Sequence, residues 1–156
     1  VRVLFVCLGN ICRSPTAEGY MLHAMSARGL RDRFHVDSAG TGAWHVGKPP
    51  DPRACATALQ RGFDISHLRA RQLSREDGQR FDHIVAMDAD NLSNIERILK
   101  APHLAQVSRL LDFAPGTPER DVPDPYYGGQ EGFERMFDLI AAGIDGFIEA
   151  QYGVVK

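Results

Sequence analysis

The chain of 156 residues lacks long apolar runs, an excess of either charge and a dense set of cysteines. No apolar run approaches the roughly 20 residues that cross a bilayer, and the first residues do not follow the pattern of a signal peptide. The formal net charge of −2 leaves no basic excess for nucleic acid, and three cysteines are too few for a disulfide framework. We therefore expect a single cytoplasmic domain over residues 1–156, with neither membrane insertion nor a nucleic-acid partner.

The most informative segment is Cys7–Pro15, with the sequence CLGNICRSP. It follows an apolar run at residues 3–6 that indicates a short buried strand, and it precedes a helical pattern. A helix N-terminus exposes unpaired N–H groups and attracts anions. Gly9 and Asn10 tolerate a positive φ, which lets successive amides curl around phosphate oxygens. The segment therefore predicts a phosphate-binding loop between the first strand and the first helix.

Cys7 and Arg13 supply the chemistry expected of that loop. Arg13 returns to the phosphate after five intervening residues and offers a planar, bidentate fork. Lowering the pKa of a free thiol from about 8.5 to about 6 requires roughly 3.4 kcal/mol, whereas a helix end supplies about 0.3–1 kcal/mol. The loop amides, Arg13 and Ser14, which we expect at the N-cap before Pro15, must supply the rest. The alternative is a small buried cysteine beside a structural turn.

Strand patterns and helix patterns alternate along the chain. Strands are predicted at residues 1–6, 34–39, 82–87 and 106–113, helices at 15–29, 52–61, 88–100 and 130–152, and a proline-rich loop at 112–129. This order predicts a three-layer α/β fold, with a four-stranded parallel sheet and helices on both faces. Because ligands of such sheets bind beyond the carboxyl ends of the strands, we expect Cys7, Asp88 and the loop after Phe113 at one edge.

The segment Cys7–Pro15 resembles the phosphate-binding loop of the low-molecular-weight protein tyrosine phosphatases, and the chain is identified as a bacterial-type member of that family. Residues 37–41 and 87–91 resemble the segments after the family's second and third strands, and residues 124–128, DPYYG, resemble its acid loop. These matches keep their order and span most of the chain. The resemblance implies an enzyme that hydrolyses phosphotyrosine in proteins through a cysteinyl-phosphate, without a cofactor.

Release of a tyrosine from its phosphate ester requires a proton for the leaving oxygen, which a carboxylic acid can give. Asp124 lies in the proline-rich loop, where spacing alone favours an ordinary turn carboxylate in solvent. The resemblance implies that Asp124 is the acid, because the family's acid occupies the matching position of Asp-Pro-Tyr-Tyr. Asp121 is the nearby alternative.

A phosphate site with an aromatic cleft above it is expected. Phosphate binding is assigned to the loop residues Leu8, Gly9, Asn10, Ile11, Cys12 and Ser14. Tyr126 and Tyr127 are expected to form one wall of the cleft and Trp44 the other, with packing at the rim as the alternative. Ile11 faces the entrance and favours phosphotyrosine, since a threonine there is associated with family relatives that dephosphorylate arginine.

Three further residues are expected to support the loop. By resemblance, Ser38 and His67 hold Asn10 in a strained left-handed conformation, with an ordinary half-buried histidine as the alternative at position 67. Asp88 is expected to cap the helix that follows it, or to orient Arg13. The resemblance also implies that Cys12 traps an oxidised nucleophile as a reversible disulfide, and a packed thiol is the alternative.

Other functions fit parts of the sequence. An arginine phosphatase or an arsenate reductase would use the same fold, but the reductase needs further cysteines near the third strand, and residues 80–100 contain none. A non-catalytic phosphate-binding module would not need the acid. The six histidines show no metal-ligand spacing, so we predict neither a metal nor another cofactor. The expected partners are tyrosine-phosphorylated proteins and a cognate tyrosine kinase, and the expected state is a monomer or weak dimer.

Overall fold

Strands and helices alternate in the structure, a computed structural model that describes residues 1–152. The strands are β1 (Arg2–Cys7), β2 (His35–Gly40), β3 (His83–Ala86) and β4 (Gln106–Arg109). The α-helices are α1 (Arg13–Ala27), α2 (Pro52–Gln60), α3 (Asp77–Arg80), α4 (Ala89–Leu99) and α5 (Gln130–Tyr152), and short 3₁₀ helices cover Arg31–Arg33 and Leu110–Phe113.

The four strands form one parallel sheet in the order β2-β1-β3-β4. The central strand β1 is an apolar run that is fully buried at residues 3–6, as a strand covered on both faces must be. Val3 and Phe5 pack in a core with α1, α2 and α5, whereas Leu4 and Val6 pack in a second core with α4. The predicted three-layer fold is confirmed.

The fourth strand is shorter than predicted, because it ends at Arg109 and the chain turns into a 3₁₀ helix. Helix α5 packs closely on that turn. A Cβ atom at Gly146 would lie 1.9 Å from the carbonyl oxygen of Phe113, and one at Gly143 would lie 2.5 Å from Leu110. Burial of Leu110 under α5 therefore replaces the last part of the predicted strand.

Hydrogen bonds beyond the strand ends link the loops that follow the four strands. The amide of Thr41, after β2, donates to the carbonyl of Cys7 at 2.9 Å, and the amide of Gly42 donates to Leu8 at 2.9 Å. A Cβ at Gly40 would lie 2.8 Å from the carbonyl oxygen of Leu8, so this close approach requires glycine. On the other side, the amide of Val122 donates to Met87 at 2.9 Å. The loops after all four strands thus meet at one edge of the sheet.

Candidate active site

The loop between β1 and α1 turns sharply at Asn10, whose φ of 58° lies in the left-handed region. The Asn10 side chain holds this conformation. Its Nδ2 donates to Ser14 Oγ at 2.7 Å and to Ser38 Oγ at 3.0 Å, and its Oδ1 accepts from the amide of Arg71 at 3.0 Å. The loop is therefore fixed from behind by the Asn10 side chain.

Cys7 lies at the bottom of the loop and is 3% exposed. Its Sγ accepts from the amide of Asn10 at 3.3 Å and lies 3.0 Å from Ser14 Oγ. The Ser14 hydroxyl already accepts from Asn10, so its single hydrogen is free to point at the sulfur or at the carbonyl of Ala39, 3.3 Å away. An amide and a hydroxyl thus converge on the sulfur of Cys7.

Helix α1 begins earlier than predicted, and Ser14 is not its N-cap. The helix starts at Arg13, with Cys12 at the N-cap and no side-chain capping bond. The hydroxyl of Ser14 is instead used in the hydrogen bonds behind the loop. Because no side chain caps the helix, its first amides are left for an anion.

Arg13 is buried with its guanidinium between two carboxylates. Its Nη1 donates to Asp88 Oδ2 at 2.5 Å and to the carbonyl of Val122 at 3.0 Å. Asp88 also caps α4 by accepting from the amide of Asn91 at 2.7 Å, so both roles expected for Asp88 occur together. Asp124 Oδ2 lies 3.7 Å from Arg13 Nη2.

Asp124 is the carboxylate at the mouth of the loop. Its side chain is 40% exposed, and its Oδ1 accepts from the amide of Tyr126 at 3.1 Å in a local turn. Asp121 is turned away, because its Oδ1 accepts from the amide of Ala89 and from Arg109. The geometry therefore favours Asp124 over Asp121 as the acid.

A cleft of about 420 Å³ opens above Cys7. Tyr126 and Trp44 line this cleft, while Tyr127 is 96% exposed and stands at the rim. His45, for which the sequence carries no motif signal, also lines the cleft; it packs against Gly9, and its ring lies 6.3 Å from that of Tyr126. The lining consists of Cys7, Leu8, Gly9, Ile11, Cys12, Arg13, Trp44, His45, Asp124, Tyr126 and Tyr127.

A family model described as low molecular weight phosphotyrosine protein phosphatase matches residues 2–152. The phosphatase of that name from Schizosaccharomyces pombe is 48% identical over 134 residues, 85% of each chain. The low molecular weight protein-tyrosine-phosphatase YfkJ of Bacillus subtilis is 40% identical over 145 residues, 93% of this chain and 92% of YfkJ. The chain belongs to the low molecular weight phosphotyrosine protein phosphatase family.

Solved structures agree with this assignment. The crystal structure of YfkJ matches with a TM-score of 0.90 and 38% identity over 96% of this chain and 93% of that one. The crystal structure of a Drosophila arginine phosphatase matches with a TM-score of 0.92 and 32% identity over 97% of this chain and 98% of that one. The predicted family and the predicted class, a protein tyrosine phosphatase, are confirmed.

His67 is not part of the network that holds the loop of this phosphatase. It is exposed and lines a separate small groove with His23 and Phe63. Its expected place beside Ser38 is taken by Glu18, whose Oε1 accepts from Ser38 Oγ at 2.7 Å. The signal for Glu18 was its position four residues after Ser14 on the same helix, which places both on one face.

Glu18 is an unusual support, because it is only 7% exposed. Burial, aided by the nearby Asp37, raises its pKa from 4.5 to about 7, and the Ser38 hydrogen bond and Arg71 oppose this shift. The network behind the phosphate loop thus ends on a carboxyl group that changes charge near neutral pH.

Cys12 differs chemically from Cys7. It is 4% exposed, and burial, followed by the negative charge of Asp51, raises the pKa of the Cys12 thiol well above its ordinary value. Cys12 is therefore a neutral thiol at physiological pH.

Two features are absent from residues 1–152. Within that range no three His, Cys, Asp or Glu side chains are grouped so that they could hold a metal ion. Within the same range no helix has the length and apolar character to span a membrane. The absence of a metal or other cofactor stays a prediction.

Proposed function

We propose that this phosphatase hydrolyses phosphotyrosine in proteins with Cys7 as the nucleophile, Arg13 and the loop amides as the phosphate binders, and Asp124 as the acid. The observation that carries the proposal is the convergence on one point of a buried thiol with two donors, an uncapped helix end and a buried arginine. Such a point stabilises three phosphate oxygens and the thiolate at once.

One edge of the Arg13 guanidinium, formed by Nε and Nη2, is available to bind phosphate. Its Nη1 is used by Asp88 and Val122, whereas Nε and Nη2 make no hydrogen bond within residues 1–152. These two N–H groups form the planar fork that binds two phosphate oxygens in parallel. Asp88 therefore fixes the orientation of the guanidinium, and the free edge binds the substrate.

In the first step, the Cys7 thiolate attacks phosphorus in line with the leaving phenolate oxygen. The S–P bond forms, the P–O bond breaks, and Asp124 transfers its proton to the departing oxygen. The loop amides and Arg13 bind the three equatorial oxygens, whose charge the transition state retains. The products of this step are tyrosine and a cysteinyl-phosphate.

In the second step, the Asp124 carboxylate accepts a proton from a water molecule that attacks the cysteinyl-phosphate. The O–P bond forms, the S–P bond breaks, and the electron pair returns to Cys7 as a thiolate. Inorganic phosphate leaves, and Asp124 is again protonated for the next cycle. Neither step requires a metal or an oxidant.

The walls of the cleft favour an aromatic leaving group. Tyr126 and Trp44 offer ring faces, and Ile11 offers an apolar edge at the entrance. A phenyl ring gains from such stacking, whereas the charged guanidinium of phosphoarginine has no carboxylate in the lining other than Asp124. The chemistry of the walls, rather than the fold, is the basis for proposing phosphotyrosine.

The substrates, the partner kinase, the cellular location and the oligomeric state are also proposals. We infer tyrosine-phosphorylated proteins as substrates, a cognate tyrosine kinase as the enzyme that makes them, a cytoplasmic location and a monomer or weak dimer. Reversible pairing of Cys12 with an oxidised Cys7 is also retained as a proposal.

The test is a panel of phosphotyrosine, phosphoarginine and phosphoserine peptides with the wild type and with Cys7→Ser. We expect turnover of the phosphotyrosine peptide, much slower turnover of the other two, and none by Cys7→Ser. Cys55→Ser is the matched control, because Cys55 is a half-buried thiol on α2 outside the cleft. Normal turnover by Cys7→Ser, or a preference for phosphoarginine, would refute the proposal.

A further inference from the structure

Arg53, in the first turn of α2, contacts the loop that carries Asp124. Its Nη2 donates to the carbonyl of Tyr126 at 2.8 Å, and its Nη1 donates to the carbonyl of Gly128 at 3.2 Å. The guanidinium also lies over the ring of Phe133, 4.7 Å from its centroid, and 5.8 Å from that of Tyr126. One side chain thus joins α2, the acid loop and the start of α5.

The same arginine is connected to the phosphate loop through Asp51. Arg53 donates to both carboxylate oxygens of Asp51, from Nε at 3.1 Å and from Nη2 at 3.0 Å. Asp51 caps α2 through the amide of Arg53, and its own amide donates to the carbonyl of Ile11 at 2.8 Å. A continuous set of hydrogen bonds therefore runs from Ile11 through Asp51 and Arg53 to Tyr126.

Asp124 itself has few contacts that fix it. It accepts from the amide of Tyr126 and lies 3.7 Å from Arg13, in a loop that is rich in proline and largely exposed. Arg53 binds the carbonyl of the residue whose amide binds Asp124. Arg53 therefore binds Tyr126 through its carbonyl, and Tyr126 binds the acid through its amide.

We propose that Arg53 is a positioning residue that holds the acid loop against the phosphate loop and so places the Asp124 carboxyl for proton transfer. This proposal rests on the function proposed above. Arg53 does not line the cleft and is not assigned to the substrate. Proton transfer depends on the distance between donor and acceptor, so a shift of the loop by about 1 Å is sufficient to lower the rate.

The test uses aryl phosphates whose leaving groups differ in their need for a proton. Phenyl phosphate needs the acid, whereas 2,4-dinitrophenyl phosphate releases a stable anion without it. For Arg53→Gln we expect kcat/KM to fall about 10-fold to 100-fold with phenyl phosphate and less than about 3-fold with the dinitrophenyl ester. Arg53→Lys should retain part of the rate, because lysine can donate to one of the carbonyls but cannot form the fork.

Arg61 provides a matched control. It follows α2, lies with its guanidinium 5.1 Å from the centroid of the Phe137 ring, and pairs with Glu134 and Asp138 of α5. Within residues 1–152 it makes no hydrogen bond to the acid loop. Arg61→Gln should therefore leave kcat/KM unchanged with both esters.

A double-mutant cycle with Asp124→Asn separates positioning from a general structural role. If Arg53 acts through Asp124, Arg53→Gln should cause no further loss in the Asp124→Asn background. An equal loss with both esters, an additive loss in the double variant, or no loss at all would overturn the proposal. If Asp124→Asn instead lowered kcat/KM equally with both esters, the assignment of Asp124 as the acid, and so the proposed function, would be refuted.

Discussion

At the scale of the residue, the site depends on a few side chains that each make two kinds of contact. Asn10 fixes the left-handed turn and also donates to Ser14, whose hydroxyl lies against the Cys7 sulfur. Asp88 caps α4 and orients Arg13. Because each of these groups serves the fold and the chemistry at once, a substitution there should lower stability and activity together. Asp124 differs, since it is partly exposed and, among residues 1–152, is held only by the amide of Tyr126 and by Arg13 at 3.7 Å.

Asp124→Asn should therefore lower kcat without unfolding the protein. We expect a loss of about 10²-fold to 10⁴-fold, the usual contribution of a general acid–base group. The measurement is steady-state hydrolysis of p-nitrophenyl phosphate, with the thermal midpoint as a check on folding. Asp121→Asn is the control, because Asp121 binds Ala89 and Arg109 rather than the cleft. A larger loss in Asp121→Asn than in Asp124→Asn would reverse the assignment.

At the scale of the element, the packing of α1 against β2 buries Glu18 behind the phosphate loop. The charged groups that face it are Asp37 and Arg71. Because burial raises the pKa of Glu18 from 4.5 to about 7, the folded protein holds this proton over a range in which the unfolded chain releases it. The free energy of unfolding should therefore fall as pH rises from 4.5 to 7.

Glu18→Gln should remove this part of the pH dependence. The wild type should lose up to roughly 3 kcal/mol relative to the variant between pH 4.5 and pH 7, and the difference should be constant above that range. Urea unfolding of both proteins at several pH values measures it. If the free energy of unfolding changed with pH in the same way in both proteins, burial would not raise the pKa of Glu18 as described.

The contact of α5 with the turn after β4 makes a second prediction at this scale. Gly146→Ala places a Cβ 1.9 Å from the carbonyl oxygen of Phe113, so the helix must move, and we expect a loss of about 1–3 kcal/mol of stability. Gly132→Ala, on the same helix, meets only Pro125 at 3.6 Å and should be neutral or slightly stabilising. Urea unfolding compares the two variants. Equal stability of both would contradict the close packing.

At the scale of the whole molecule, local sequence patterns predicted the secondary-structure elements and the edge of the sheet at which the site lies. The apolar run of β1 and the helix at residues 130–152 follow from periodicity, the common edge of the loops follows from the alternation of strands and helices, and the structure contains them. The contacts that cross the chain were not predictable in this way. Glu18 replaces His67 beside Ser38, and Arg53 reaches Tyr126, because tertiary packing brings together residues that no spacing in the sequence relates.

The same limit explains the errors at element ends. Ser14 has the side chain of an N-cap, but its hydroxyl contacts the Cys7 sulfur and accepts from Nδ2 of the Asn10 side chain instead. The predicted end of β4 is apolar enough for a strand, yet Leu110 is buried under a glycine face of α5. At Ser14 contacts within the phosphate loop outweighed the local preference, and at Leu110 the contact with α5 did so.

The most direct test of the site is whether a phosphoryl group passes through Cys7. Turnover of p-nitrophenyl phosphate is stopped within milliseconds by acid, and the peptides are analysed by mass spectrometry. We predict a phosphoryl group on the peptide that contains Cys7 and none in Cys7→Ser. A phosphoryl group on another residue, or turnover by Cys7→Ser, would contradict the assignment of Cys7 as the nucleophile.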